Sequence, residues 1–468
     1  MTDSLSRPAY RPGGEISVRA GRPKVNGVLL LYYDPRQLGY RNASNIVEHA
    51  RSFKRHSRFR VWEVNTHTPL PRSLARYDFE AIVFHYSLFG ASVPPGGDPY
   101  LGTPYYLLDE GHREFVRTSS AYKLAFFQDE HTYCGGRFHF CDEMGLDCVY
   151  TLLEPSEHER VWGTYTDVPT VKTTLPGYVD DRVAAAGRRH ALPEDRRETD
   201  VGYRARPMPI FMDTAQEKTE VGRGFAELAA DSGLRLDIGL EESDRIYGAD
   251  WHRFIAGCRT MLGVESGVSI FDLTDQVRRD YVRILEERGK VTVEDLRRGA
   301  AGELDGAIYY RTISPRHFEA AAFGVCQVLF PGRYSGAMEP LKHYIPLEKD
   351  FSNIDEVVAL IRDGAATREI AARARRDLID SGAYGYEGFI HGFDRTLLEA
   401  GLDPAVGRAR AFAVTRAARR GRLIRTARSR WRTDSPRFIG PVYTAVNRTR
   451  PGAALIRKLA RLRRPTTL

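Results

Sequence analysis

Four short stretches of this 468-residue chain hold side chains whose types and spacing could do chemistry. In FMDTAQEKTEVGRG, Lys218 opens a helix. A cation there stands where the helix dipole disfavours it, so it points to an anionic ligand as well as to a solvated lysine. In GVESGVS (263–269), Glu265, Ser266 and Gly267 follow an apolar run and fall at the carboxyl end of a strand. Open α/β sheets bind ligands at that end. Ser266 can donate to a phosphate and Gly267 permits close backbone approach, although an ordinary strand-to-helix turn reads the same way. In FFQDEHTYCGG, Gln128, Asp129, Glu130 and His131 come directly after a buried strand, which places them either in a turn or in a cleft. In TISPRHFEAAAFGVCQVLFPG (312–332), Arg316 stands one turn before Glu319 at the start of an Ala-rich helix. The amides of such a start can face an anion, and a Glu there can also serve simply as a cap.

Several chemistries lack their signature. Cys134, Cys141 and Cys148 are spaced by seven, which suits no zinc-ligand pattern and predicts buried structural thiols. No phosphate loop of the G-x-x-x-x-G-K-[ST] type occurs, and no D-x-D ends a strand, so no metal site is expected. The tripeptides NAS (42–44) and NRT (447–449) match glycan acceptors by chance in a chain read as intracellular.

Periodic elements must hold these residues. The run Val28–Tyr33 is short, nearly continuous and closed by turn residues, as a buried parallel strand is. Asn42 and Ser44 can then cap a helix with Ile46, Ala50 and Phe53 on one face. RFRVWEVN (58–65), EAIVFHYS (80–87), YKLAFFQD (122–129) and DCVYTLL (147–153) are further strands. Strand and helix in alternation imply a doubly wound α/β domain over 25–180, after an extension at 1–24. The polar, Arg-rich stretch 181–206 reads as a connection. A second α/β series over 207–383 starts at PMPIFM, with strands at LRLDIG, TMLGV, VCQVLF and HYIPLEKD and an insertion at about 268–309 that is helical in part. An aromatic-rich helix, YGYEGFIHGFDRTLLEAG, closes the globular part within 384–404 and is expected to return toward the first domain.

RHFEAAAFG resembles the R-x-FE-A-x-x-x-G signature of the second domain of GT-B glycosyltransferases, and HYIPLEKDFSNIDEVVALIRD resembles the segment that follows it there. The N-terminal half is similar more loosely, through QDEHTY and LPGYV. The resemblance implies two Rossmann-like domains facing a cleft, no bound cofactor, and a nucleotide-diphosphate sugar as substrate. Glu319 would then accept from the ribose diol, a task suited to a carboxylate. Arg316 and Lys218, with Ser266 and Gly267, would hold the diphosphate in place of a metal ion. Asp129 and His131 would touch the donor sugar or the acceptor. In the first loop, DPRQLGYRNAS (34–44), Gly39, Tyr40 and Arg41 would face the diphosphate. Many retaining members carry two glutamates with seven residues between them. The first of those positions is Arg311 here, which leaves that role to Glu265 or to a sugar held differently. The expected activity is transfer of a sugar to a hydroxyl acceptor with retention, in polysaccharide or glycolipid synthesis. A nucleotide-sugar epimerase and a non-catalytic binding protein of the same fold are the alternatives.

Charge is segregated. Residues 405–468 hold 18 Lys and Arg against the single acid Asp434, while the rest of the chain is mildly acidic. In AALIRKLARLRR, Leu455, Leu459 and Leu462 share one helical face among Arg457, Lys458, Arg461 and Arg464. A basic amphipathic helix with Trp431 and Phe438 nearby predicts an anionic membrane surface as its partner. Nucleic acid, which arginine also serves, and a disordered or partner-binding arm are the competing readings. No 18-residue apolar run and no apolar leader core occur, and five cysteines make no disulfide scaffold. The expected place is the cytoplasmic face of a membrane.

Overall fold

The computed structural model describes residues 22–34, 44–92, 103–205 and 216–404. Strand β1 (Lys24–Tyr32) buries Val28, Leu29, Leu30 and Leu31 completely. A run apolar on both faces needs cover on both sides, which a parallel sheet flanked by helices supplies. It is followed by β2 (Val61–Asn65), β3 (Asp78–Phe84), a small antiparallel pair β4 (Phe89–Ser92) and β5 (Thr103–Tyr106), then β6 (Tyr122–Phe126), β7 (Cys148–Thr151) and β8 (Thr170–Thr173). The first sheet has the order β2-β1-β3-β6-β7-β8, and every pair in it is parallel. Helix Ser44–His56 covers one face with Ala50 and Phe53, the periodic positions of the sequence pattern.

The second sheet contains β9 (Thr199–Arg204), β10 (Leu236–Gly239), β11 (Cys258–Gly263), β14 (Cys326–Leu329) and the two-residue β15 (Ile345–Pro346), in the parallel order β10-β9-β11-β14-β15. Between β11 and β14 run β12 (Ser266–Ile270) and β13 (Asp305–Thr312), an antiparallel ribbon. The chain is thus two Rossmann-like α/β domains, as expected.

Two local expectations differ from what is found. PMPIFM (207–212) lies outside the described residues, and β9 falls in the stretch read as a connection, together with helix Asp181–His190. This strand reads as polar because its buried Asp200 is neutralised by Arg235 and Arg259, at 2.9 and 3.0 Å, while only Val201 and Tyr203 supply apolar bulk. The insertion is also more than helices. Helices Gln276–Arg288, Val293–Arg297 and Ala300–Leu304 form a small core of their own with Ile270, Val277, Tyr281, Ile284 and Leu296. The ribbon meanwhile sends Val268, Phe271, Ile308 and Tyr310 into the core of the first domain, beside Phe127, Phe138 and Trp162. One domain therefore lends a ribbon to the other.

The last described helix, Tyr386–Glu399, crosses back in the same sense. Tyr386, Phe389, Ile390, Phe393 and Leu397 join Leu30, Phe53, Val83 and Phe126 in a single cluster. Asp394 accepts from Ser57 Oγ and Arg58 N at 2.6 and 2.7 Å, and Tyr150 and Thr396 share a hydrogen bond at 2.7 Å. No described helix is long and apolar enough to cross a membrane. The extension at 1–21 and the basic segment 405–468 lie outside the described residues.

Candidate functional site

In the second sheet, β9 is followed in sequence by its neighbour on one side, β10, and then by its neighbour on the other, β11. Connections leave in opposite directions from such a switch point, and a crevice opens beyond the strand ends. A cavity of about 280 Å³ lies there, and its polar lining includes Arg204, Lys218, Ser266, Ser314, Arg316 and His317. Arg204, Lys218 and Arg316 bring three cationic side chains to this lining.

Each is placed by its element. Lys218 is the second residue of helix Glu217–Leu228, and its carbonyl accepts from the Tyr203 hydroxyl at 2.8 Å. Arg204 ends β9 and pairs with Asp237 at 2.7 Å. Ser314 caps helix Pro315–Ala322, its hydroxyl accepting from Arg316 N at 3.3 Å. Proline at the first helical position fixes the entry. Arg316 donates from Nη1 to the Arg204 carbonyl at 2.6 Å, which joins the helix start to the strand end. His317 is buried between Gln327 Oε1 at 2.7 Å and the Val264 carbonyl at 3.2 Å, and burial pushes its imidazole down to about 4.

Glu319 stands one turn further along than the sequence pattern suggested. Since Ser314 is the cap, Glu319 lies in the second turn and the capping role falls away. Its Oε2 accepts from Trp251 Nε1 at 2.8 Å, and among the described residues Oε1 has no hydrogen-bond partner. Burial raises its pKa, opposed by the indole N–H and the Arg316 charge.

Ser266 and Gly267 begin β12. Ser266 faces the cavity, whereas Gly267 is required by the ribbon. Its φ is +110°, and a Cβ there would sit 2.1 Å from the Tyr310 carbonyl oxygen. The close approach is thus made by the paired strand. Glu265 points away, into a neighbouring cavity of about 340 Å³ with Tyr309, Arg311, Arg333 and Lys349. It accepts from Tyr334 N at 2.7 Å and from the Tyr309 hydroxyl at 2.9 Å, and burial raises its pKa against those donors. Arg311 is held by Glu217 at 3.1 and 3.2 Å, and Glu217 also takes Lys349 at 2.9 Å.

His131 lies in the first domain, in the loop after β6, and is not among the residues lining either cavity. It is buried, and neither ring nitrogen has a hydrogen-bond partner among the described residues. Burial lowers its pKa to about 4, the Asp129 carboxylate opposes this, and the Arg137 and Lys218 charges add to it. Lys218 and His131 therefore feel each other from the two domains. Asp129 is exposed, with a left-handed φ of 54°, and its carbonyl accepts from Arg137 Nη2 at 3.1 Å. Glu130 is buried and structural. Its Oε1 accepts from Thr151 Oγ1 and from Leu152 N at 3.0 Å. Gly39, Tyr40 and Arg41 lie outside the described residues.

Arg204, Trp251, Glu217 and His317 were not singled out from sequence. Trp251 sits in a helix whose spacing reads as ordinary packing, and Arg204 falls in a stretch that reads as a linker. Among the described residues no group of three or more His, Cys, Asp or Glu side chains could hold a metal ion. All five cysteines are buried and free.

No family model matches the chain, and no curated protein matches it. Among solved structures it is similar to the S. aureus TarM G117R mutant in complex with Fondaparinux, alpha-GlcNAc-glycerol and UDP, at 11% identity over 70% of this chain with a TM-score of 0.40. The chain spans 56% of the length of that protein. It is similar to Anabaena Alr3699/HepE in complex with UDP-glucose at 10% identity, covering 80% of this chain and 100% of that one with a TM-score of 0.42. An alpha-glucosyltransferase in complex with UDP and a 13-mer DNA containing a HMU base gives 9% identity, 81% and 100% coverage, and a TM-score of 0.44. Likenesses this weak carry no weight for activity or substrate.

Proposed function

We propose that this chain transfers a sugar from a nucleotide-diphosphate sugar to a hydroxyl acceptor. The observation that carries the reading is the cavity at the switch point, lined by Arg204, Lys218 and Arg316, with Glu319 on the same short helix as Arg316. A diphosphate needs concentrated positive charge, and a ribose diol needs a hydrogen-bond acceptor beside it. Both occur within one turn of each other.

In the reaction the acceptor hydroxyl oxygen forms a bond to the anomeric carbon as the bond from that carbon to the diphosphate breaks. The electron pair leaves with the phosphate oxygen, and the acceptor's proton passes to the departing phosphate or to solvent. Lys218 and Arg316 stabilise the charge that develops on the leaving group, a preorganised electrostatic role that requires no metal ion. Neutral His131, buried opposite Lys218, offers a ring N–H or lone pair to a hydroxyl of the donor sugar or acceptor. Asp129, at the exposed rim, tunes that imidazole through its charge. Glu265 is a less suitable catalyst than its sequence position suggested, because its oxygens are taken by Tyr334 and Tyr309. We assign no enzyme nucleophile, and retention is our reading of the stereochemistry. The basic segment 405–468 supports a lipid-linked or surface-polysaccharide acceptor at an anionic membrane.

The test is thermal unfolding of the full-length protein with UDP, GDP, ADP and their sugars. A ligand bound only by the folded state raises the melting point. Failure of every nucleotide to do so overturns the reading.

A further inference from the structure

Four side chains beside the cavity form a layered stack. The Arg316 guanidinium lies 5.3 Å from the Trp251 ring centroid, Trp251 stacks on Phe254 at 5.6 Å, and the Arg204 guanidinium lies 4.2 Å over Phe254. Trp251 and Phe254 are three apart on helix Ala249–Gly257, and so share a face. Gly202 in β9 leaves room for this helix and the strand after it, since a Cβ there would be 2.3 Å from Cys258 Sγ and 3.0 Å from Phe254 Cζ. The indole edge is used as well, because Nε1 donates to Glu319 Oε2 at 2.8 Å.

Packing alone does not explain this arrangement. Removing a carboxylate from water is costly unless it is paired and fully hydrogen-bonded. Glu319 is half-buried, with one neutral donor on Oε2 and no protein hydrogen bond on Oε1 among the described residues, at the start of the helix's run of three alanines. We propose that Trp251 is the positioning residue of the nucleotide site, its N–H aiming the Glu319 carboxylate at the ribose hydroxyls while its ring face holds Arg316 at the diphosphate. The inference rests on the reading of the cavity as a nucleotide-diphosphate site. It adds that recognition of the ribose 2′-hydroxyl depends on a residue from another helix that touches no part of the nucleotide.

The experiment is calorimetric titration of the full-length protein with UDP and GDP and with their 2′-deoxy counterparts, using wild type, W251F, E319A and the double variant. Phenylalanine keeps an aromatic face for the stack while removing the N–H together with one ring, and melting without ligand confirms that each variant is folded. The expected result is a nucleotide affinity about tenfold weaker in W251F. Wild type prefers the ribonucleotide, and that preference disappears in W251F and in E319A. The double variant binds no worse than E319A alone, because residues acting through one another are not additive. W251F that keeps both its affinity and its ribose preference overturns the inference while leaving the function intact. Losses that add in the double variant overturn it too, since Trp251 would then act independently of Glu319. If W251F fails to fold, E319A alone still decides, because an unchanged ribose preference there overturns the inference. If wild type binds no nucleotide, the proposed function falls and this inference falls with it.

Discussion

The Tyr310 hydroxyl, carried on a ribbon of the second domain, donates to Glu130 Oε2 in the first domain at 3.2 Å. The same ribbon presents Asp272 N to the His131 carbonyl at 2.9 Å, and Phe271 and Tyr310 pack into the first domain's core. The loop that carries the buried histidine is therefore held from both sides, by its own sheet through Thr151 and Leu152 and by the other domain through Tyr310.

This contact makes Tyr310→Phe a sharp test of the clamp. The ring stays and the donor goes, leaving a buried carboxylate oxygen unsatisfied. A loss of about 1–3 kcal/mol in unfolding free energy is expected, read from urea denaturation. A variant as stable as wild type would show that the ribbon is held by apolar contact alone.

Acid should destabilise the protein through its buried histidines. His131 is held down at about 4 and His49 at about 3, chiefly by burial. Between those values and the unfolded value near 6.5, the unfolded chain binds more protons, so stability rises with pH across that window. Each such group removes about 1.4 kcal/mol per pH unit as pH falls through it. The raised carboxyls of Glu130 and Glu265 act in the opposite sense. The informative quantity is thus the difference between wild type and His131→Asn, whose urea midpoint should change less between pH 7 and pH 5. Equal slopes would mean that His131 is reached by solvent.

Diphosphate neutralisation by side chains predicts turnover in EDTA. Lys218→Ala should lower kcat/KM by about a hundred- to a thousandfold, the range for losing one preorganised electrostatic group. Activity abolished by the chelator and restored by magnesium or manganese would assign the charge to a metal instead.

The segment 405–468 should bind anionic vesicles. Each base near such a surface contributes about 1 kcal/mol, which salt screens, whereas insertion of the Leu455, Leu459 and Leu462 face is not screened. Full-length protein should therefore sediment with anionic vesicles and release only partly at high salt. A chain ending at residue 404 should stay in solution and still bind its nucleotide. Full-length protein that ignores the vesicles would make this segment a partner-binding or disordered arm.

The alternation of apolar runs and amphipathic spans determined the two α/β domains, because burial on both faces of a parallel strand leaves a mark on every residue, as in Val28–Leu31. Lys218 and Arg316 could be named as candidates for a similar reason, since both stand in the first turn of helices that any α/β reading locates, whereas Arg204 could not. What the sequence could not disclose was pairing at a distance. Asp200 is buried only because Arg235 and Arg259 reach it from other elements, so β9 reads as linker. Gly267 is a glycine because of Tyr310, more than forty residues along the chain. Glu265 and Ser266 are consecutive yet serve different cavities, since adjacent side chains at a strand start point to opposite faces. Trp251 has the spacing of a packing residue, and only the fold brings its N–H to Glu319. Local periodicity is written in neighbouring residues, whereas a hydrogen bond between two helices exists only once the sheet beneath them has set their distance.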